Sequence, residues 1–184
     1  MLRPYSIQTR YLPMSNPKHT IQTERLVLSP FALEHLDGLF AMNRNPAVMR
    51  YLGDIQTREE TKAGILRVQA RWQKYGYGWW TILLRKTGAV IGAACLQNLA
   101  HTDDAPLEIG WRLMPEYHGK GFATEAGRAA MEFGFNQVGV ERLVAVAHPE
   151  NIASQKVMQR LGMQFAGVET HYDQDCAVFE IAKP

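Results

Sequence analysis

The segment "YHGKGFATEA", residues 117–126, places two glycines and a lysine immediately before a helical pattern. A helix leaves its first backbone N–H groups without acceptors of its own, so a helix start that glycines leave uncovered can bind a phosphate. The alternative is that Gly119 and Gly121 only form a tight turn between a strand and a helix. The segment alone does not decide between the two.

Two common phosphate loops do not fit this segment. A Walker A loop requires four residues between its glycine and the Gly-Lys-Ser/Thr, whereas here Phe122 follows Gly-Lys-Gly. A dinucleotide fingerprint requires a third glycine where Thr124 stands, and an early βαβ position that this segment lacks. What remains is a general amide cradle for an anion.

The rest of the chain predicts a mixed α/β domain. Thr57 and Glu60 form a capping-box pattern, and Asn151 is placed to cap a later helix. The last two strands are expected to meet at a tight turn at Asp173–Gln174. Helices are predicted over 32–44, 57–76, 121–139 and 151–162, and strands over 23–31, 79–85, 90–97, 106–115, 140–148 and within 164–182.

Composition limits the classes of partner. A chain of 184 residues that is 46% hydrophobic suits one domain with a real core. Its net charge is +2 and its basic residues are scattered, so we expect no nucleic-acid partner. No window of about 18 apolar residues and no signal peptide are seen, so we expect no membrane association and a cytoplasmic location. Cys95 and Cys176 are read as buried free thiols, and no His or Cys spacing indicates a metal site.

The chain divides into an N-terminal arm, residues 1–20, and a single domain, residues 21–184. The arm contains three prolines and several apolar side chains. It is either an extended tail or a segment packed against a dimer partner, so the protein is expected to be a monomer or a homodimer.

Three segments in order resemble the GNAT acetyltransferase superfamily, in its RimJ/RimL-like branch. They are "TERLVLSPF" at 23–31, "LEIGWRLMPEYHGKGFATEA" at 107–126 and "VERLVAVAHPENIASQKVMQRLGMQFAG" at 140–167. The resemblance covers about residues 21–181. It implies an α/β (α+β) fold with a mostly antiparallel sheet of about seven strands flanked by helices and splayed between the fourth and fifth strands, and acetyl-coenzyme A as cosubstrate.

The resemblance also implies where the cosubstrate binds. The family's loop pattern falls on His118 to Ala123, with His118 where relatives have Gln or Arg. The pantetheine arm would lie beside a strand backbone whose N–H also polarises the thioester carbonyl, Asn151 would contact that arm, and Ser154 would hydrogen-bond the departing thiolate. The implied cofactor-binding residues are Trp111, Arg112, Leu113, His118, Gly119, Lys120, Gly121, Phe122, Ala123, Thr124, Asn151 and Ser154. Trp111 also fits a plain core aromatic.

Catalytic residues are proposed with Glu108 first. Strand alternation places Glu108, Gly110 and Arg112 on one face of an otherwise apolar strand. Glu108 is in a salt bridge, at a rim position on a half-solvated strand, or a general base, and the resemblance favours the base because relatives often carry a glutamate on this strand. Met158 stands where many relatives place a tyrosine acid, which leaves Ser154 or Tyr117 for that role.

The predicted activity is direct transfer of an acetyl group from acetyl-coenzyme A to a primary amine. Cys95 lies far in sequence from the loop, so an acyl-cysteine route has no support. The acceptor is a protein N-terminus or a small molecule such as an aminoglycoside, polyamine or amino acid, and loops 43–57 and 98–106 would select it. The alternative from another class is a non-catalytic module that binds or senses acyl-coenzyme A.

Overall fold

The computed structural model describes residues 19–184, so nearly all of the predicted arm lies outside the described range. An eight-stranded sheet in the order β1-β2-β3-β4-β5-β6-β8-β7 forms the centre. Its strands are β1 Ile21–Gln22, β2 Leu26–Pro30, β3 Trp79–Leu84, β4 Val90–Asn98, β5 Leu107–Leu113, β6 Arg142–Ala147, β7 Gln164–His171 and β8 Gln174–Ala182. The helices are α1 Leu36–Asn43, α2 Pro46–Met49, α3 Arg58–Tyr75, α4 Phe122–Phe133 and α5 Ile152–Arg160.

The helix boundaries follow the capping signals. Thr57 and Glu60 form both hydrogen bonds of a capping box at the start of α3, and that helix ends at Gly76 with φ 74°. The side chain of Asn151 accepts a hydrogen bond from the backbone N–H of Ser154 and caps α5. The helix predicted over 121–139 is α4 followed by a π-helical turn over Gly134–Val138.

Helices cover both faces of the sheet. On one face, α4 buries Ala126, Ala130 and Phe133 against residues that include Leu96 and Ile109. On the other face a second cluster joins α1, α2 and α3 to β4, with Phe31, Leu39, Met42, Val48, Ile65 and Ala93 as its buried members. Glu108, Gly110 and Arg112 lie on this second face, because Arg112 pairs with Ala93 and β5 alternates from there.

The sheet opens between β5 and β6. These two strands are parallel and pair only at Leu107 with Leu143 and at Glu108 with Val144. The remaining residues of β5 have no partner in β6. On its other side, β6 pairs with β8 along its whole length. The predicted splay is therefore confirmed, and the strand added to the expected seven is the two-residue β1.

The turn between the last two strands differs from the prediction by one residue. Tyr172 and Asp173 occupy it with φ of 54° and 59°, and Gln174 already pairs with His171. A two-residue hairpin turn of this kind needs positive φ at both positions, and tyrosine seldom adopts positive φ. The prediction of Asp173–Gln174 as the turn residues was therefore wrong by one position. The shift matters because it places the Tyr172 side chain beside Glu108.

Within residues 19–184, every helix is too short or too polar to cross a lipid bilayer.

Candidate active site

The glycine segment forms an open cradle at the start of α4. Gly119 and Gly121 have φ of 72° and 80°, so both glycines are needed for the backbone path. The first hydrogen bond of the helix start runs from the Glu125 N–H to the Gly121 carbonyl at 3.0 Å. The N–H groups of Phe122, Ala123 and Thr124 precede it and have no helical acceptor.

Space for a ligand exists at this cradle. A Cβ built at Gly119 would have no heavy atom within 4 Å, and one at Gly121 would meet only Arg25, at 3.3 Å. The cradle opens into a cavity of about 610 Å³, here called the cradle cavity, whose lining includes Trp111, Leu113, Tyr117, His118 and Ala123. The backbone and the open volume fit a pyrophosphate.

Two basic side chains of the segment are used locally. Lys120 Nζ donates to the Glu116 carbonyl at 2.8 Å. His118 Nε2 lies 3.0 Å from the carbonyl of Leu113, the last residue of β5. Both side chains therefore already have hydrogen-bond acceptors. The groups left to bind an anion are the backbone N–H groups of Phe122, Ala123 and Thr124.

Thr23 and Arg25, in the turn between β1 and β2, bind the Glu125 side chain in the first turn of α4, and these contacts are here called the clamp. Glu125 accepts hydrogen bonds from Thr23 Oγ1 at 2.6 Å and from the Arg25 N–H at 2.9 Å, and its ion pair with Arg25 Nε is 2.7 Å long. Burial alone would raise the pKa of Glu125, but these contacts outweigh it and lower the pKa. Arg25 also donates to the Lys120 carbonyl at 2.9 Å and lies 4.5 Å from the centre of the Phe122 ring. The sequence indicated only that a carboxylate suits the first helical turn.

A second cavity, here called the Glu108 cavity, lies on the other side of the splay. Its volume is about 660 Å³, and it is lined by β4, β5 and β6 together with α3 and residues 49–56. The two cavities share Trp111, Arg112, Asn151 and Ser154 among their lining residues. The gap between β5 and β6 therefore connects the amide cradle to Glu108.

Glu108 is the buried acid of this cavity, with only 7% of its surface exposed. No cation lies within ion-pair distance of it among residues 19–184, so the salt-bridge interpretation has no support. Burial raises the pKa of Glu108 to about 7, against the opposing effects of hydrogen bonds from Tyr172 and Gln97 and of the His171 charge. A carboxyl with this pKa can take up or release a proton near neutrality.

Tyr172 is the contact that the sequence did not indicate. Its hydroxyl donates to Glu108 Oε2 and accepts hydrogen bonds from Gln97 Nε2 and the Ala100 N–H, both at 3.1 Å. Burial and the Glu108 charge raise the pKa of Tyr172 well above its usual range, so the phenol stays protonated. It therefore holds Glu108 in place as a permanent donor.

The predicted acid candidates are separated by the fold. Ser154 lines both cavities and lies at their junction, next to Asn151. Tyr117 lines the cradle cavity only and packs beside Phe122, with ring centres 6.3 Å apart. Met158 is fully buried in the core and also borders the Glu108 cavity. Of the two candidates, only Ser154 reaches the same cavity as Glu108.

The cysteines and histidines lie closer to the site than their sequence positions suggested. Cys95 and Cys176 are free and buried, as predicted, but both line the Glu108 cavity. Burial raises the pKa of Cys95 well above its usual value, and the Glu108 charge adds to this, so the thiol is a poor nucleophile. His101 and His148 also line the cavity, the latter stacked on Tyr51. The described residues include no group of metal-ligating side chains.

Trp111 packs against the main core and borders both cavities. The two loops predicted to select the acceptor contribute to the lining of the Glu108 cavity, through Met49, Tyr51, Leu52, Gly53 and Gln56 of loop 43–57 and His101 of loop 98–106.

Comparison with known proteins identifies the family. Residues 25–164 match the model of the acetyltransferase (GNAT) domain. The uncharacterized N-acetyltransferase YnaD of Bacillus subtilis (strain 168) is 30% identical over 149 residues, which cover 80% of this chain and 84% of that protein. The acetyltransferase of Agrobacterium tumefaciens str. C58 has a TM-score of 0.77 at 26% identity and covers 94% of this chain and 98% of its own.

A more distant solved structure has the same fold. The RimL ribosomal L7/L12 α-N-protein acetyltransferase, in complex with coenzyme A, matches with a TM-score of 0.73 at 19% identity over 89% of this chain and 97% of its own. Since the family model spans the splayed strands, the cradle and the junction of the two cavities, the chain belongs to the GNAT family of acetyl-coenzyme A-dependent acetyltransferases.

Proposed function

We propose that this enzyme transfers the acetyl group directly to a primary amine bound in the Glu108 cavity, the amine being a protein N-terminus or a small molecule. The observation that carries the proposal is the connection of two cavities through the gap between β5 and β6. One cavity offers unpaired amides for a pyrophosphate, and the other holds a buried carboxyl. Direct transfer needs donor and acceptor held close together, and two connected cavities can hold both at the same time.

Acetyl-coenzyme A supplies the acetyl thioester when it is bound. The amides of residues 119–124 would hold its pyrophosphate, and the backbone of Trp111, Arg112 and Leu113 would run beside its pantetheine arm. Asn151 would contact the same arm, since its side chain lies at the junction. Ser154 is placed to donate a hydrogen bond to the thiolate that leaves.

Glu108 would act as the general base. An α-amine has a pKa of about 8 and a lysine amine about 10.4, so making them neutral at pH 7 costs roughly 1.4 and 4.6 kcal/mol. A carboxyl whose pKa is about 7 is well matched to an α-amine and poorly matched to a lysine. The acceptor is therefore expected to be an α-amine or another weakly basic primary amine.

Coenzyme A release in the presence of an amine panel tests the proposal. The panel holds amino acids, polyamines, an aminoglycoside and peptides beginning with Ser, Ala and Met, and mass spectrometry checks each product for one added acetyl group. We expect amine-dependent release with at least one class. Tight binding of acetyl-coenzyme A without release for any amine would instead support the sensing module.

A further inference from the structure

The charges that line the Glu108 cavity are unbalanced. Three arginines, Arg67, Arg71 and Arg112, line it with a single carboxyl, that of Glu108. None of the three forms an ion pair with any carboxylate in residues 19–184. The eighteen residues that precede His19 contain no aspartate or glutamate, so they cannot supply one.

Arg112, on β5, is half-buried. Its guanidinium lies 5.1 Å from the centre of the Trp79 ring, and its Nη1 is 3.7 Å from the Met49 sulfur, which is a weak acceptor. Its Nε is buried and has no hydrogen-bond partner. Burial lowers the pKa of Arg112 to about 10, so the side chain is still charged at neutral pH.

Arg71, on α3, is also half-buried, and its charge, after the hydrogen bond from Tyr75, is among the causes that lower the pKa of Asp103. Arg71 lies 5.1 Å from the centre of the Tyr75 ring and donates one hydrogen bond to Asn98 Oδ1 at 3.3 Å, while its Nε is buried without a partner. Glu108, Arg112, Arg71 and Cys95 all line the same cavity.

A partly buried cation without an ionic partner is stabilised when an anion binds beside it. Guanidinium groups bind carboxylates through two parallel hydrogen bonds, and Arg112 and Arg71 each donate only one long hydrogen bond to a side chain within residues 19–184. A cationic acceptor such as a polyamine would add further positive charge to a cavity that already carries an excess.

We propose that the acceptor is a small primary amine that also carries a carboxylate, with its amine at Glu108 and its carboxylate at Arg112 and Arg71. This inference rests on the proposed function, since it names the substrate class of that same cavity. The two ends are separated along β5, because Glu108 and Arg112 share a face four residues apart, with Cα atoms about 13 Å from each other at 3.3 Å per residue. Between them Gly110 contributes no side chain, and the Cys95 sulfur packs over it, so a molecule that contacts both ends would lie across the Cys95 thiol in the cavity.

Matched pairs of amines test the substrate class. Glycine, alanine and serine are each compared with the corresponding amide, beside spermidine and a peptide that begins with serine. We expect at least one amino acid to exceed its amide in kcat/KM by about 30-fold or more, as befits loss of a charge-assisted bidentate contact. Arg112→Gln and Arg71→Gln should each reduce that ratio toward one.

Arg58→Gln is the control. Arg58 is exposed, lies 5.9 Å from the centre of the Phe40 ring and does not line the cavity. Its cation–aromatic contact resembles that of Arg112 but lies outside the Glu108 cavity. The ratio of kcat/KM for the amino acid to that for its amide should therefore be unchanged in this variant. A cooperative unfolding transition shows that each variant is folded.

An equilibrium measurement separates this inference from the proposed function. The thermal midpoint of the wild-type protein should rise with millimolar N-acetylated amino acid and not with its amide, and Arg112→Gln should abolish the rise. Acetylation of spermidine, of the amides or of the peptide at equal or higher kcat/KM would overturn the carboxylate site and leave the acetyltransfer intact. Absence of turnover with every amine would contradict the proposed function, and the thermal shift would still decide whether a carboxylate binds.

Discussion

Glu108 combines a buried position with a pKa near the working pH, which is the environment that a general base needs. Its predecessor and successor on the strand, Leu107 and Ile109, are buried in the core, so the backbone that carries the carboxyl is rigid. Gln97 and Tyr172 complete the support from β4 and from the β7–β8 turn. The carboxyl is thus held at one place while its proton can leave.

Glu108→Gln should lower kcat by about 10²-fold or more, because a typical acid–base contribution is lost, with the affinity for acetyl-coenzyme A within about threefold. Since a base acts when deprotonated, kcat/KM of the wild type should rise as pH increases through about 7, and the variant should lack this rise. Steady-state kinetics from pH 5.5 to 9 measures both. A fall in kcat of less than about fivefold at pH 7 would mean that the enzyme only positions an already neutral amine.

Tyr172→Phe should move the pH profile rather than abolish activity. The Tyr172 hydrogen bond lowers the pKa of Glu108, so its removal should shift the midpoint of kcat/KM to higher pH. At pH 9 the variant should approach the wild type. A purely structural role would instead reduce kcat/KM equally at every pH.

Tyr75→Phe is the matched control for that prediction. The Tyr75 hydroxyl donates to the carboxylate of Asp103 at 2.7 Å, outside the Glu108 cavity. Its loss removes a similar tyrosine–carboxylate contact and should leave the pH profile unchanged.

At the scale of elements, the start of α4 binds its ligand through backbone rather than side chains. The helix has no side-chain cap, since Gly121 occupies that position with φ 80°. A cap such as serine would occupy the amides that a phosphate needs. The clamp from Thr23 and Arg25 stabilises the helix start through the Glu125 side chain. It leaves the first backbone N–H groups of α4 available for a phosphate.

Gly121→Val should raise KM for acetyl-coenzyme A at least about tenfold, because a Cβ holds the phosphates away from the amides. The positive φ adds a backbone cost of about 1–3 kcal/mol that a valine must also bear. Gly88→Val supplies the control, since Gly88 has φ 73°, has open space around its Cβ position and lies in the β3–β4 turn. Thermal unfolding should show backbone strain in both variants, whereas steady-state kinetics should show a raised KM for acetyl-coenzyme A in Gly121→Val alone. An unchanged KM in Gly121→Val would place the phosphates elsewhere.

Local signals made some of these elements predictable. The capping box at Thr57 and Glu60, the asparagine cap of α5 and the alternation along β5 depend on neighbours a few residues away. The site contacts that were missed join distant positions. Tyr172 meets Glu108 across 64 residues, and Arg25 meets Glu125 across 100. Such contacts depend on the order of strands in the sheet, which no short pattern encodes.

At the scale of the whole molecule, the site depends on the insertion of β8 between β6 and β7. That order brings the β7–β8 turn to the first residues of β5, where Tyr172 reaches Glu108 and Cys176 lines the same cavity. Arg71 lies on α3 and Arg112 on β5. Because these elements are far apart in the sequence, the spacing of the two arginines does not indicate that they could bind one ligand. Residue types could be proposed from the sequence, but which of them share one cavity required the fold.

The boundary of the domain is a testable property of the whole chain. The His19 carbonyl accepts a hydrogen bond from Trp80 Nε1 at 2.8 Å, and its ring stacks on Trp72 with centres 4.9 Å apart. Trp72 and Trp80 in turn pack edge to face with Phe133 of α4. Residue 19 is therefore attached to the core that supports the cradle, and we propose that the independently folding domain begins there.

Removal of residues 1–18 should leave kcat, both KM values and cooperative unfolding nearly unchanged, because the contacts of His19 and all of the site contacts described above remain. Removal of residues 1–25 should raise KM for acetyl-coenzyme A and lower the thermal midpoint by several degrees, because Thr23 and Arg25 are lost from the clamp on Glu125. Calorimetry, kinetics and light scattering on the two shortened chains measure stability, activity and oligomeric state. If the first truncation dissociates a dimer and reduces kcat at the same time, the arm contributes to the site of a partner subunit, and the domain is not self-sufficient.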